Sequence, residues 1–425
     1  MTEHENIGML SPYRVLDLTD ERGVLCGKLL GDLGADVIKV EKPGGDPSRN
    51  IGPFYHDEPD PEKSLFWFAF NTNKRGITLD IEKADGQEIF RKLVRTADFI
   101  VESFPPGYME KLGLGYPELE KINPGLIMVS ITPFGQSGPY KDYKGPDIVV
   151  WAMSGYMYQW GDSDRPPVRI SHHSQAYAQT APEAAAGALM ALYNRHVTGH
   201  GQQVDISIEE CVTWYAHYFT GVWDTQKRKQ PRGTGMPQSY NLDIPITRLW
   251  PCKDGYVSWV WWGQGKRSSP PLMKWLIEWT EKQGISTEFA DEWDWTKANY
   301  TGLNAEAVAR LESATRIFFM AHTRSELLEG ALKRHVQVYP VATTEDIVKG
   351  TPSQQLNARG YWVKLEHPEL SDTISYPGAF VRASEEPLRI TRRAPLIGEN
   401  NREIFEIELG IPREQQILLK QSEVI

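Results

Sequence analysis

Cationic side chains recur close to the ends of short apolar runs in the first third of the chain: Lys39 and Lys42, Lys74 and Arg75, Lys111, and Lys141 and Lys144. In a parallel sheet the carboxyl ends of the strands converge on one crevice, so this placement predicts a site for a phosphate-bearing ligand. The 425-residue chain is otherwise acidic, with 46 Lys+Arg against 56 Asp+Glu and a formal net charge of −10. That balance argues against non-specific adhesion to nucleic acid or anionic membrane, so a polyanion needs a few aimed cations. Other chemistry-bearing patterns are missing: there is no GxxxxGK(S/T), HExxH or GxSxG. The turn Leu18–Gly27 (LTDERGVLCG) lacks GxGxxG, and Asp20 and Glu21 within it would repel a pyrophosphate, so a nicotinamide dinucleotide is not expected. His172 and His173 adjoin each other, and neighbours on a strand point to opposite faces, which argues against a shared metal. Cys26, Cys211 and Cys252 are widely spaced without a CxxC, which fits a reducing cytoplasm and supplies no zinc framework.

The elements that must position these groups read as an α/β chain. Tyr13–Leu18, Gly23–Leu33 and Asp36–Glu41 predict strand, helix and strand, a right-handed crossover unit. Strands at 76–79, 98–102 and 126–131, with helices at 87–94 and 116–122, continue the pattern and predict a mostly parallel sheet. Ala181–His196, rich in Ala and Leu, predicts a buried helix stopped by Gly199 and Gly201. Residues 227–241 shift to Gly, Pro, Gln and Arg and read as a linker. Trp259, Trp261, Trp262, Trp275, Trp279, Trp293 and Trp295 follow, and their bland reading is packing. The expected division is 1–226 for a large lobe, 227–325 for a small lobe with its linker, and 326–425 for a return to the large lobe. No apolar run reaches the roughly 18 residues of a membrane helix, and MTEHENIGML does not read as a secretory signal, so a soluble, cytoplasmic protein is expected.

In these elements lies a series of motifs in a fixed order. Val15–Thr19, Leu30–Glu41, the PGGDPSR segment from Pro43, Asn73–Asp80, Ala97–Gly107, Leu112–Tyr116, Phe134–Pro139, Thr198–Gln202, His367–Leu370 and Ala394–Glu399 together resemble the family III CoA transferases. That group includes formyl-CoA and carnitine CoA transferases and α-methylacyl-CoA racemase. The resemblance implies a Rossmann-like large lobe built from both chain ends, a smaller α+β lobe, and an interlocked dimer whose active site lies where one chain's large lobe meets the other's small lobe. It also implies a CoA thioester as substrate, lying along Asp20–Leu25, with Lys42, Leu79, Ser103, Phe104, Lys111 and Lys144 near its adenine and phosphates. Ser103 stands where the family usually has Asn, Glu82 where Lys is common, and Asp20 and Glu21 where the loop is usually neutral.

In such transferases an Asp carboxylate attacks the thioester to give a mixed anhydride, which returning CoA thiolate converts to an aspartyl-CoA thioester. Counted back from Arg195 and Thr198, that nucleophile falls within Ser174-Gln175-Ala176-Tyr177-Ala178-Gln179, at Tyr177, and the window holds no Asp or Glu. Asp164 and Glu183 are the nearest acids, with Glu183 expected in the first turn of the Ala-rich helix as a dipole partner. The racemase branch uses a His beside an Asp, and here the pair is Pro146-Asp147, with Asp147 read as a helix cap. The pattern resembles the Asp-lacking subunit of a heteromeric enzyme such as the benzylsuccinate CoA transferases of anaerobic toluene degradation, whose homologous partner carries the Asp. Left open beside it are a homodimeric transferase or isomerase with relocated residues, Asp147, His172 and His173 among them, and a non-enzymatic acyl-CoA-binding paralogue.

Overall fold

Runs such as Val-Leu-Asp-Leu, Val-Ile-Lys-Val and Ile-Met-Val-Ser-Ile are apolar on both faces, the signature of strands covered by helices on each side. In the computed structural model, which describes residues 8–425 except 163, 172, 228, 230–246, 262–268, 288–304 and 386–387, they form one parallel sheet. Its strands are β1 (Arg14–Leu18), β2 (Asp36–Glu41), β3 (Lys74–Thr78), β4 (Phe99–Glu102), β5 (Ile127–Thr132) and β6 (Gln203–Ser207), in the order β3-β2-β1-β4-β5-β6. The order reverses beside β1, the position at which α/β sheets open a ligand crevice at their carboxyl edge. Between the strands lie α1 (Val24–Asp32), α2 (Leu65–Phe70), α3 (Ala84–Val94), α4 (Tyr108–Lys111), α5 (Tyr116–Leu119), α6 (Asp147–Met153) and α7 (Gln175–Thr198), with α8 (Ile208–Trp214) after β6. Gly27 lets α1 approach the sheet: a Cβ there would lie 2.2 Å from Asp17 Oδ2.

The chain forms two compact units. The first contains 1–156, 170–217 and 356–425, so both chain ends build it. The second contains 157–169 and 218–355. It is made of α9 (His217–Gln226), which begins at the unit boundary, β7 (Leu249–Cys252), β8 (Gly255–Ser258), α10 (Ser269–Lys282), α11 (Ala305–Ala321), α12 (Arg324–Arg334), β9 (Tyr339–Pro340) and α13 (Thr344–Lys349). Trp250, Trp259, Trp261, Trp275, Phe318 and Phe319 fill its core, so packing accounts for these aromatics. Trp262, Trp293, Trp295 and most of the expected linker lie outside the described residues. After α14 (Thr351–Ala358), the hairpin β10 (Trp362–His367) and β11 (Asp372–Pro377) packs on Trp67 and Phe68 of α2. A π-helical segment at Arg402–Glu408 and α15 (Arg413–Gln421) then bring Ile404, Phe405, Leu419 and Val424 onto the core beside α3. No helix among the described residues is long and apolar enough to cross a membrane.

Two expectations change. The Ala-rich helix begins at Gln175 rather than Ala181, carrying Pro182 inside it. Glu183 therefore sits in the third turn, where its Oε1 accepts a 3.1 Å hydrogen bond from Tyr215 Oη, rather than in the first turn. β6 ends at Ser207, whose hydroxyl accepts from Glu210 N and starts α8.

Candidate active site

Beneath the carboxyl edge of β1–β3 lies a fully buried charge cluster. Lys74 Nζ donates to Asp17 Oδ2 at 2.7 Å, to Val24 O at 2.7 Å and to Asn71 Oδ1 at 2.8 Å. Lys39 Nζ bonds Thr19 O and lies 3.4 Å from Asp46 and 3.8 Å from Asp17. Burial opposes the charge on Asp17, yet Lys74 and Lys39 outweigh it and hold the carboxyl below its usual range. Alongside, Arg49 clasps Glu41 at 2.6 and 2.8 Å with its guanidinium 3.7 Å over the Trp67 ring. Lys39 and Lys74 are therefore removed from the phosphate-facing cations expected from sequence, because each is wholly enclosed among carboxylate and carbonyl oxygens. Arg75 is removed too, since, as the second residue of β3, it lies toward the amino end of the strand, away from the crevice, and pairs with Asp36, Glu403 and Glu408.

At the crevice itself, the turns after β1 and β4 are locked together. Asp20 N donates to Ser103 Oγ at 2.9 Å, and Ser103 Oγ returns a 2.9 Å bond to Asp20 Oδ1. Arg22 forks onto the same carboxylate at 2.8, 3.0 and 2.5 Å. Burial raises and Arg22 lowers the Asp20 pKa, and the net shift is downward. The acid read as repelling a pyrophosphate is thus internally neutralised, a partner that sequence reasoning missed although Arg22 stands two residues away. Glu21 has no such clasp; burial, and then the neighbouring Asp20, push its carboxyl up. Below Ser103, burial pushes Glu102 up to about 7, and its Oε2 accepts the Phe104 amide at 2.7 Å.

Three of the remaining expected contacts, Lys42, Leu79 and Phe104, lie around one wall. Leu79 is buried and its amide bonds Glu41 O at 2.6 Å, beside Lys42. Phe104 stacks on Tyr108 with ring centroids 4.5 Å apart. Lys42 Nζ pairs with Glu82 Oε1 at 2.8 Å. Lys111, the last residue of α4, and Lys144 are exposed and carry no ion pair among the described residues. The structure thus brings Lys42, Leu79, Phe104 and, on the adjoining turn, Ser103 into one neighbourhood, while Lys111 and Lys144 stand on separate surface segments.

α1 and α7 pack together, and both start at the carboxyl edge of the sheet, so the turn at Asp20–Arg22 and the first turn of α7 share that edge. Ser174 is the N-cap of α7 but its side chain caps nothing. The capping is done from α6, where Asp147 Oδ1 accepts the Ala176 amide at 2.8 Å. Asp147 is a cap, as its sequence position suggested, though for α7 rather than its own helix. Tyr177 is 5% exposed and its hydroxyl donates to Gly145 O at 3.3 Å. Burial, with Glu21 nearby, pushes the phenol well above its usual pKa, so it stays neutral at physiological pH. Gln175 and Gln179 are half-buried. His173 is exposed, Asp164 is exposed in the second unit, and His172 lies outside the described residues. No group of three or more potential metal-ligating side chains occurs among the described residues.

A Rossmann-ordered sheet in a unit built from both chain ends, with its strand order reversing beside β1 and a long helix opening at the same edge, defines a class. The chain belongs to the family III CoA transferases: the model described as CoA-transferase family III matches residues 10–401. Within it, the chain is 34% identical over 404 residues to the succinyl-CoA:(R)-benzylsuccinate CoA-transferase subunit BbsE of Thauera aromatica, covering 95% of this chain and 94% of the relative. It is 31% identical to a succinyl-CoA–D-citramalate CoA-transferase of Chloroflexus aurantiacus, covering 98% of each. Among solved structures, a CAIB/BAIF family protein from Brucella suis superposes with a TM-score of 0.78 and 27% identity, covering 96% of this chain and 100% of that one.

Proposed function

We propose that this chain is the subunit without a nucleophile in a heteromeric family III CoA transferase that moves CoA from succinyl-CoA to an aryl- or alkyl-substituted succinate such as benzylsuccinate. The observation that carries the reading is the first turn of α7. Its window from Ser174 to Gln179 holds no carboxylate, and the position expected for one holds Tyr177, a buried neutral phenol turned onto Gly145 O. A phenol cannot form the acyl-carboxylate anhydride on which the transfer depends. Asp147, the carboxylate bonded to this turn, already serves the Ala176 amide. The word "subunit" in the names of the benzylsuccinate relative and of a succinyl-CoA–L-malate relative supports a heteromer.

In this reading a homologous chain bearing the Asp interlocks with this one and supplies the nucleophile, and this chain alone is inactive. Its own crevice takes the CoA thioester, with Leu79 and Phe104 against the adenine, Lys42, Lys111 and Lys144 toward the phosphates, and Ser103 at the floor. No metal takes part. The protein works in the cytoplasm, where its three free cysteines stay reduced; burial pushes the Cys211 thiol up to about 11 and the Cys26 thiol up to about 12.

Native mass spectrometry of the chain isolated from its own host tests this. The expected result is a one-to-one complex, or a multiple of it, with a similar-sized chain carrying Asp in the window equivalent to 174–179. A homodimer of this chain alone that transfers CoA sinks the proposal, and a homodimer that binds acyl-CoA without transferring it supports a binding paralogue instead.

A further inference from the structure

At the open side of the Leu79–Phe104 wall, Lys42 is held in a charge arrangement that decides what the proposed crevice can offer a phosphate. Lys42 Nζ lies 2.8 Å from Glu82 Oε1, and Tyr108 Oη donates to the same oxygen at 2.5 Å. The Tyr108 ring in turn lies over Phe104, inclined by 25°. Three separate segments build the contact: the residue after β2, the turn between β3 and α3, and the first residue of α4. The side chains of Lys42 and Glu82 are 53% and 45% exposed, so the pair faces the solvent from which a ligand enters. Lys42 and then Tyr108 hold the Glu82 carboxyl below its usual range, so it is ionised at neutral pH. Lys42 and Glu82 therefore sum to no net charge. An adenine ring needs only the apolar wall, whereas a phosphomonoester dianion beside it meets a Lys42 whose charge is already neutralised, together with the repulsion of the Glu82 carboxylate.

We propose that Glu82 makes the adenosine end of this crevice indifferent to a ribose 3′-phosphate, so that 3′-dephospho-CoA and its thioesters are accepted as readily as CoA and its thioesters. The inference rests on the CoA crevice of the proposed function and specifies its substrate class. Lys111 and Lys144 carry no ion pair among the described residues and remain for the diphosphate common to both ligands.

Equilibrium titration of the full chain with CoA and with 3′-dephospho-CoA tests it. The wild-type dissociation constants are expected to agree within about twofold, and Glu82→Gln, which frees Lys42, to tighten CoA by about fivefold while leaving the dephospho ligand unchanged. In the double variant Lys42→Met, Glu82→Gln that gain disappears. A wild-type preference for CoA of about fivefold or more, or a Glu82→Gln change equal for both ligands, overturns the inference and leaves the nucleotide crevice standing. Failure of both ligands to bind the wild type and the variant overturns the crevice assignment together with it.

Discussion

Two clusters at the carboxyl edge of one sheet differ in what holds them. Beneath β1–β3, Asp17, Lys39, Lys74, Glu41 and Arg49 are buried charges, each met by an opposite charge and by further hydrogen bonds. Along the first two turns of α7, from Ser174 to Pro182, no side chain is charged, and the carboxylate that bonds the turn comes from Asp147 of α6. A buried ion network tolerates no missing member, because the charge left behind has no water to turn to. A helix start needs only an acceptor for its amides, which a residue from another element can supply. The first cluster therefore ties the architecture to its particular residues, while the second can hold its shape without the group that performs the chemistry.

The sharpest way to break this contrast is in the buried cluster. Lys74→Met strands the Asp17 carboxylate beside Lys39 at 3.8 Å and should cost about 3–5 kcal/mol in denaturant unfolding. The pair Asp17→Asn with Lys74→Met should recover part of that, and a single variant as stable as the wild type would mean the charges are not mutually required.

Glu102, at the floor of the crevice, gives the middle effect. Its pKa in the folded chain is raised from 4.5 to about 7 by burial. The folded state therefore holds the proton more tightly than the unfolded state, and stability present below about pH 4.5 is lost as pH rises through about 7. Glu102→Gln, whose amide oxygen can still accept the Phe104 amide, should flatten the profile between pH 5 and 8 and stabilise the chain by up to about 3 kcal/mol above pH 7. An unchanged slope would remove Glu102 as its source. The smallest effect belongs to Tyr177→Phe, which deletes one long hydrogen bond and should cost under about 1 kcal/mol. It should also leave CoA transfer by the assembled enzyme within about twofold, whereas a loss of a hundredfold or more would make the phenol a participant.

Much of this was legible because the apolar runs of a doubly covered sheet are long, β-branched and separated by helical spacing; β2 lies on Asp36–Glu41 as read. The family, too, was visible in the order of its loop motifs. What the sequence hid depends on contacts between distant residues. Nothing near Lys74 in the chain announces Asp17, 57 residues earlier, so a buried structural lysine looked like a phosphate ligand. The start of α7 was hidden because Pro182 resembles a first-turn proline and Ser-Gln-Ala-Tyr carries no local cap, while the actual cap, Asp147, stands 29 residues before Ala176. Arg22 meets Asp20, two residues before it, only because the chain turns there, which the residue types alone do not show.

The most direct measurement is chemical trapping in the assembled enzyme. During turnover with succinyl-CoA, hydroxylamine converts an activated carboxyl to a hydroxamate that peptide mass mapping can place. The mark is expected on an Asp of the partner chain and not on this one. A hydroxamate on Asp20, Glu21 or Asp147 of this chain would contradict the heteromer and place the nucleophile in this chain's own crevice.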